Sequence, residues 1–128
     1  MADALNSVFT TTFFTGKYYQ KVQSAPSYRH DLDLAVFARD GSIAAFATAW
    51  YHPANNIGAF EPMGTHPAHR RRGLAKHVVA AGMRRLEKLG ATRVNVGTGM
   101  DPAANRFYAA LGFTAYQQSF EWQKRVRY

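Results

Sequence analysis

The chain has no cysteine, which excludes disulfides, thiolate metal sites and a catalytic Cys, and makes a reducing cytoplasm the expected compartment. No apolar run approaches the roughly 20 residues that a membrane span needs. The N-terminus lacks the basic region and unbroken apolar stretch of a signal peptide, so neither export nor a membrane partner is expected. Acidic residues are scarce: 8 Asp+Glu stand against 16 Lys+Arg, a formal net charge of +8. Such a balance points to anionic partners, either nucleic acid or a small polyanion. No histidine spacing puts two ligands on one helix face, so no metal is expected. At 128 residues, 47% hydrophobic and 19% charged, the chain reads as one globular domain, residues 1–128, with a single core.

The positive charge gathers at Arg70 to Arg72, at Arg84-Arg85 with Lys88, and at Lys124-Arg125 with Arg127. Only the first cluster coincides with a glycine turn. There an apolar, strand-like run from Ile57 to Thr65 gives way to Leu74, Val78, Val79, Leu86 and Leu89 at helical spacing, with Gly90 as the stop. A helix beginning after Gly73 presents unpaired backbone N–H groups and the positive end of its dipole. The stretch reads as a phosphate-binding turn. By itself, a basic turn before a helix is more often just a solvated surface.

Elsewhere the pattern is that of an α/β chain. Residues 1–14 show no clear period and read as a short strand or an irregular packed arm. A helix is expected from about Thr15 to Ser24, with Tyr18, Tyr19 and Val22 on its apolar side and Pro26 beyond its end. Asp31 to Ala38 alternates as a strand with Leu32, Leu34 and Val36 on one face. Asp40-Gly41 is a hairpin turn, and the Ala-rich stretch from Ser42 to Tyr51 is the return strand. The strand from Gly58 to Thr65 holds Pro62, which a central strand tolerates only at a bulge or where pairing is interrupted. Thr92 to Gly97 is a further strand. Asp101 caps a helix with Pro102 at its first position, running to about Leu111 before Gly112. Thr114 to Lys124 is expected to be mostly extended, with Tyr116, Phe120 and Trp122 at even positions. A hairpin followed by βαβαβ implies a sheet with helices on its faces.

Two motifs occur in order: Arg70-x-x-Gly73-x-Ala75 in the basic turn, and Tyr108-x-x-x-Gly112-Phe113 in the later helix. Together they resemble the GNAT superfamily of acetyl-CoA-dependent N-acetyltransferases, over about Asp31 to the C-terminus. The resemblance implies a mixed central sheet with splayed middle strands and flanking helices, the pantetheine arm lying where the Pro62 strand parts from the next. A member usually begins with a strand and two helices. This chain has room for little more than one helix there, which reads as a shortened N-terminal region.

The resemblance also assigns roles. Acetyl-CoA is held by the backbone N–H groups of Arg71, Arg72, Gly73, Leu74 and Ala75, with the arginine side chains, Arg70 included, assisting. Backbone groups of Met63 and Thr65 pair with the pantetheine arm, and the N–H near Met63 stabilises charge on the thioester oxygen. Asn105 contacts the cofactor or is a surface residue of its helix. Asp101, where many members have Asn, is read as a cap. Tyr108 donates a proton to the departing thiolate, or else packs in the core. Glu61, two residues before Met63 and so on the same face, is the general-base candidate, acting directly or through water with its pKa raised by burial. A carboxylate paired with a nearby arginine is the competing reading. His52 and His66 are weaker candidates, each before a proline; His69 is placed to touch phosphate.

The expected activity is N-acetyl transfer to a primary amine of a small molecule or peptide. The alternatives are an acyl-CoA-binding domain without catalysis and a basic nucleic-acid-binding module. The last lacks the aromatic-and-basic strand pattern of a known RNA module, so no nucleic acid is expected. The overall positive charge argues against polycationic acceptors. A homodimer is expected through the first sheet edge, with Phe9, Phe13, Phe14, Tyr18 and Tyr19 suited to the interface.

Overall fold

Asp40 and Gly41 turn the chain back on itself, as their residue types predict. Gly41 stands at φ 85°, and the Asp40 carboxylate accepts from the Ser42 N–H at 2.9 Å and from its hydroxyl at 2.6 Å. The computed structural model describes residues 1–9, 14–99 and 101–126. In it the hairpin joins β1 (Asp33–Phe37) to β2 (Ile43–His52). Next, β3 (Ile57–Thr65) runs antiparallel to β2, and β4 (Arg93–Val96) parallel to β3, giving the order β1-β2-β3-β4. This is the mixed sheet that the resemblance implies. Its strands and helices fall in two compact units, Met1–Gly97 and Thr98–Tyr128.

In the first unit, α3 (Leu74–Leu89) lies on β2. The alanines of β2 let it approach: Ala44, Ala45, Ala47 and Ala49 are all buried, with Phe46 between them. Gly82 of α3 meets Phe60 so closely that an added Cβ would stand 2.5 Å from its ring. Leu86 and Val78 complete this side of the core. Both ends of α3 fall where its glycines predict, with Gly73 at φ 72° and Gly90 at φ 106°.

The N-terminal expectation is corrected. Ala2–Phe9 forms helix α1, neither strand nor irregular arm, and α2 (Gly16–Gln23) follows behind its Thr15 cap. Two helices therefore precede β1 where room for one was expected. Ala4, Leu5 and Val8 recur at helical spacing, and burial against Phe46 draws them inward. Thr10 to Phe13 lie outside the described residues. Leu32 is fully buried, but in a short 3-10 turn, His30–Leu32, ahead of the strand.

The second unit is built on α4 (Pro102–Ala110), which ends at Leu111 ahead of Gly112 at φ 92°. No strand follows among the described residues, so the last β of the expected order is corrected to unpaired chain. Alternation readies a segment for pairing, but a strand exists only with a partner for its backbone groups. Here Tyr116, Phe120 and Trp122 stand 68%, 74% and 96% exposed. Arg127 lies outside the described residues. No helix among the described residues is long and apolar enough to cross a membrane.

Candidate active site

Pro62 sits in a bulge. Ala47 pairs with Met63 and Ala49 with Phe60, so Glu61 and Pro62 together oppose Thr48. The register shift accommodates a residue that cannot donate to the ladder. Pairing with β4 stops at Phe60 and Val96, while β3 runs on to Thr65. The stretch holding Met63, Gly64 and Thr65 is thus bonded to β2 on one side and has no β4 partner on the other. That is the parting of strands expected from Pro62.

Glu61 is exposed, and its side chain has no ion pair among the described residues. Expected burial of this carboxylate is therefore corrected, and so is its pairing with an arginine. The shared face with Met63 presumed an uninterrupted pleat, which the bulge breaks. What does hold Glu61 is its backbone: the Trp50 indole Nε1 donates to the Glu61 carbonyl at 2.7 Å. Trp50 went unnoticed in the sequence, since nothing in its neighbours marks a bond 11 residues away.

Beyond Thr65 the chain makes a compact turn. His66 caps a 3-10 turn, Pro67–His69, by accepting from the Ala68 N–H at 3.1 Å. His52 is exposed at the end of β2. Arg70 reaches back to the Thr65 carbonyl at 3.4 Å. Arg71 at φ 65° and Gly73 at φ 72° both take the left-handed conformation. Such changes of hand along a turn bring successive N–H groups to one concave side, where an anion binds. Leu74 and Ala75 open α3 and leave their N–H groups without intrahelical acceptors. Apart from its chain neighbours, no atom of the described residues lies within 4 Å of where a Gly73 Cβ would stand, so the turn is open on its outer side. Arg70, Arg71 and Arg72 are all exposed and carry no ion pair among the described residues. Beside the turn lies an open cavity of about 490 Å³, whose lining includes Arg39, Asp40, His69 and Arg72 together with Val36, Ala44 and Leu74. The donor set fits a coenzyme A pyrophosphate: free N–H groups, a helix N-terminus and mobile guanidinium charge.

In the second unit, the Asp101 carboxylate caps α4 by accepting from the Ala103 N–H at 3.0 Å, as expected. Asn105 is exposed, and its Oδ1 accepts from the Thr98 hydroxyl at 2.5 Å. Tyr108 is half-buried, its ring edge-on to Phe107 at 5.3 Å and to Phe113 at 5.7 Å. Burial raises its pKa above the ordinary tyrosine value. Its hydroxyl has no hydrogen-bond partner among the described residues. A neutral phenol with an uncommitted proton is what a general acid requires.

A profile of the GNAT acetyltransferase family matches residues 2–113. A comparison with curated protein sequences finds no match. Among solved structures, the chain is similar to an aminoglycoside acetyltransferase, meta-AAC0020, from an uncultured soil metagenomic sample. That likeness has TM-score 0.76 at 16% identity and covers 98% of this chain and 85% of the other. Aminoglycoside N-acetyltransferase AAC(6')-Iy, solved with CoA, gives TM-score 0.66 at 23% identity, covering 84% of this chain and 83% of the other. The ribosomal-protein-S18-alanine N-acetyltransferase from Escherichia coli gives 0.72 at 18%, covering 91% and 70%. At such identities the likeness is one of fold.

Proposed function

This chain belongs to the GNAT acetyltransferase family, and from that premise we propose that it transfers the acetyl group of acetyl-CoA directly to a primary amine of a small molecule or peptide. The observation that carries the reading is the turn at Arg71 to Gly73, left-handed at both ends and open outward. Acetyl-CoA, when bound, supplies the activated acyl thioester. The N–H groups of Arg71 to Ala75, with the guanidinium groups of Arg70 to Arg72, hold its pyrophosphate. Met63 and Thr65 offer backbone groups on the strand side that β4 leaves unpaired, and the N–H near Met63 steadies the thioester oxygen. Asn105 assists in holding the cofactor. Glu61 receives the amine's proton on its carboxylate, directly or through water. Tyr108 gives its phenolic proton to the departing sulfur. Both acceptor kinds have precedents on this fold, an aminoglycoside and a ribosomal protein alanine.

Thiol release from acetyl-CoA, followed across a panel of amines, amino acids and peptides, tests the activity. At least one acceptor is expected to raise the rate well above hydrolysis. Release indifferent to every amine would leave only a CoA-binding domain.

Self-association in a cytoplasmic setting is the accompanying proposal. Among the described residues the outer side of β1 is a sheet edge, and Phe37 at its end is 65% exposed. Of the expected interface residues, Phe9 is 48% exposed. Phe14 packs between Phe9 and Tyr18, and the Tyr19 hydroxyl is bonded to Asp33. Phe13 lies outside the described residues. Light scattering is expected to report twice the 14.3 kDa chain mass; a monomer at high concentration would refute the dimer.

A further inference from the structure

The Asp33 carboxylate collects three hydroxyl donors and no cation. Tyr19 on α2 and Tyr28 beyond it both donate to its Oδ2. Thr48, its partner across the β1–β2 ladder and almost wholly buried, donates to Oδ1 at 3.0 Å. No Lys, Arg or His among the described residues pairs with it, and Arg29 is taken up by Asp31 at 2.7 Å. In a chain with twice as many basic as acidic residues, a half-buried carboxylate without a cation calls for an explanation.

The tyrosines sharpen the point. Burial first, and then the bond to Asp33, raise the pKa of both phenols, so each keeps its proton and commits it inward. A phenol has one proton to give. Toward any further group, the two oxygens can therefore only accept. Gln23 Nε2 already approaches the Tyr28 oxygen as a donor, at a long 3.5 Å. The Tyr28 ring itself packs in T-shaped contact with His30, centroids 5.0 Å apart, and with Trp50, centroids 6.1 Å apart. Trp50 in turn holds the Glu61 carbonyl. Accepting lone pairs, uncompensated negative charge and aromatic faces thus meet one indole away from Glu61, all within the first compact unit.

We propose that Asp33, Tyr19, Tyr28 and Trp50 bind a protonated amino group of the acceptor, distinct from the amine that is acetylated, so that the acceptor is a compound with two or more amino groups. The inference rests on the amine-transfer reading above and names its substrate class. An ammonium supplies the donors that the phenol oxygens lack, is drawn by the Asp33 charge, and lies favourably against aromatic faces. The net charge of +8 argued the other way at the level of composition. Charges spread over a surface are screened beyond about 8–10 Å in physiological salt, whereas a carboxylate acting through hydroxyls works at contact.

The test is calorimetric titration of the full chain, without acetyl-CoA, with diaminohexane, aminohexane and hexanediol. Diaminohexane is expected to bind about tenfold or more tightly than aminohexane, and hexanediol not measurably. Tyr28→Phe keeps the ring and removes the accepting oxygen, so it should abolish the diamine preference, with a melting curve confirming the fold. Gln23→Glu, at an exposed position beside the same oxygen, should tighten diamine binding several-fold. Equal affinity for diamine and monoamine would overturn the proposal, as would a preference surviving Tyr28→Phe or unmoved by Gln23→Glu. A chain that binds the diamine but acetylates no amine refutes the catalytic reading alone. One that acetylates amines without diamine preference refutes the cluster alone.

Discussion

Tyr108→Phe is expected to lower kcat by about 10²–10⁴-fold, the usual contribution of a general acid, while affinity for acetyl-CoA persists. The substitution keeps the ring between Phe107 and Phe113 and deletes only the hydroxyl, which bonds to nothing among the described residues. Loss of packing therefore cannot mimic loss of the proton. Glu61→Gln should also slow turnover, but with a different signature. Without a base, rate follows the amine already neutral, on the order of one part in a thousand for a lysine-like amine at pH 7. Raising the pH enlarges that fraction and should partly rescue Glu61→Gln. Tyr108→Phe has no such remedy: burial raises the phenol pKa, so wild type already holds the proton across the neutral range. Steady-state pH–rate profiles of the three proteins decide the matter. If both variants match wild type, neither residue carries a proton, although the acetyl-CoA site would stand.

Gly73→Asp should weaken acetyl-CoA binding tenfold or more, about 1.4 kcal/mol. Two costs coincide at this position. The backbone is left-handed, at φ 72°, where a residue with a Cβ is disfavoured. The new carboxylate also stands on the open side of the turn, where no described atom beyond the chain neighbours comes within 4 Å of the Cβ, the side on which the phosphates are proposed to lie. Gly73→Asn separates the two. Asn tolerates the left-handed region better than most residues and brings no charge, so it should lose much less. Calorimetry on folded variants is the measurement. Equal affinities for wild type and Gly73→Asp would remove the phosphate turn from the mechanism.

Much of the fold was legible because it is decided over a few residues. Gly73 and Gly90 bound α3 because the chain there needs positive φ. Asp101 caps α4 through an N–H two residues away, and Asp40-Gly41 closes a hairpin from within itself. The bulge at Pro62 follows from a missing donor. Helix α1 was also written in Ala4, Leu5 and Val8, but its period is short and only Phe46 beneath it shows which face is buried. The segment after Gly112 fails in the opposite sense: its alternation is plain, yet no partner strand meets it among the described residues.

The amino-acid sequence by itself determined the glycine turn with its exposed arginines ahead of α3, and the helix that carries Tyr108, since both depend on φ preferences, caps and spacing. Tertiary structure alone decided the surroundings of Glu61 and Asp33. Exposure of Glu61 depends on what packs over the bulge, and its anchor comes from Trp50, 11 residues back. The Asp33 cluster draws Tyr19 from 14 residues before it and Thr48 from 15 after. Hydrogen bonds over such separations leave no local period or motif, because they form only when folding of the sheet and α2 brings the partners together.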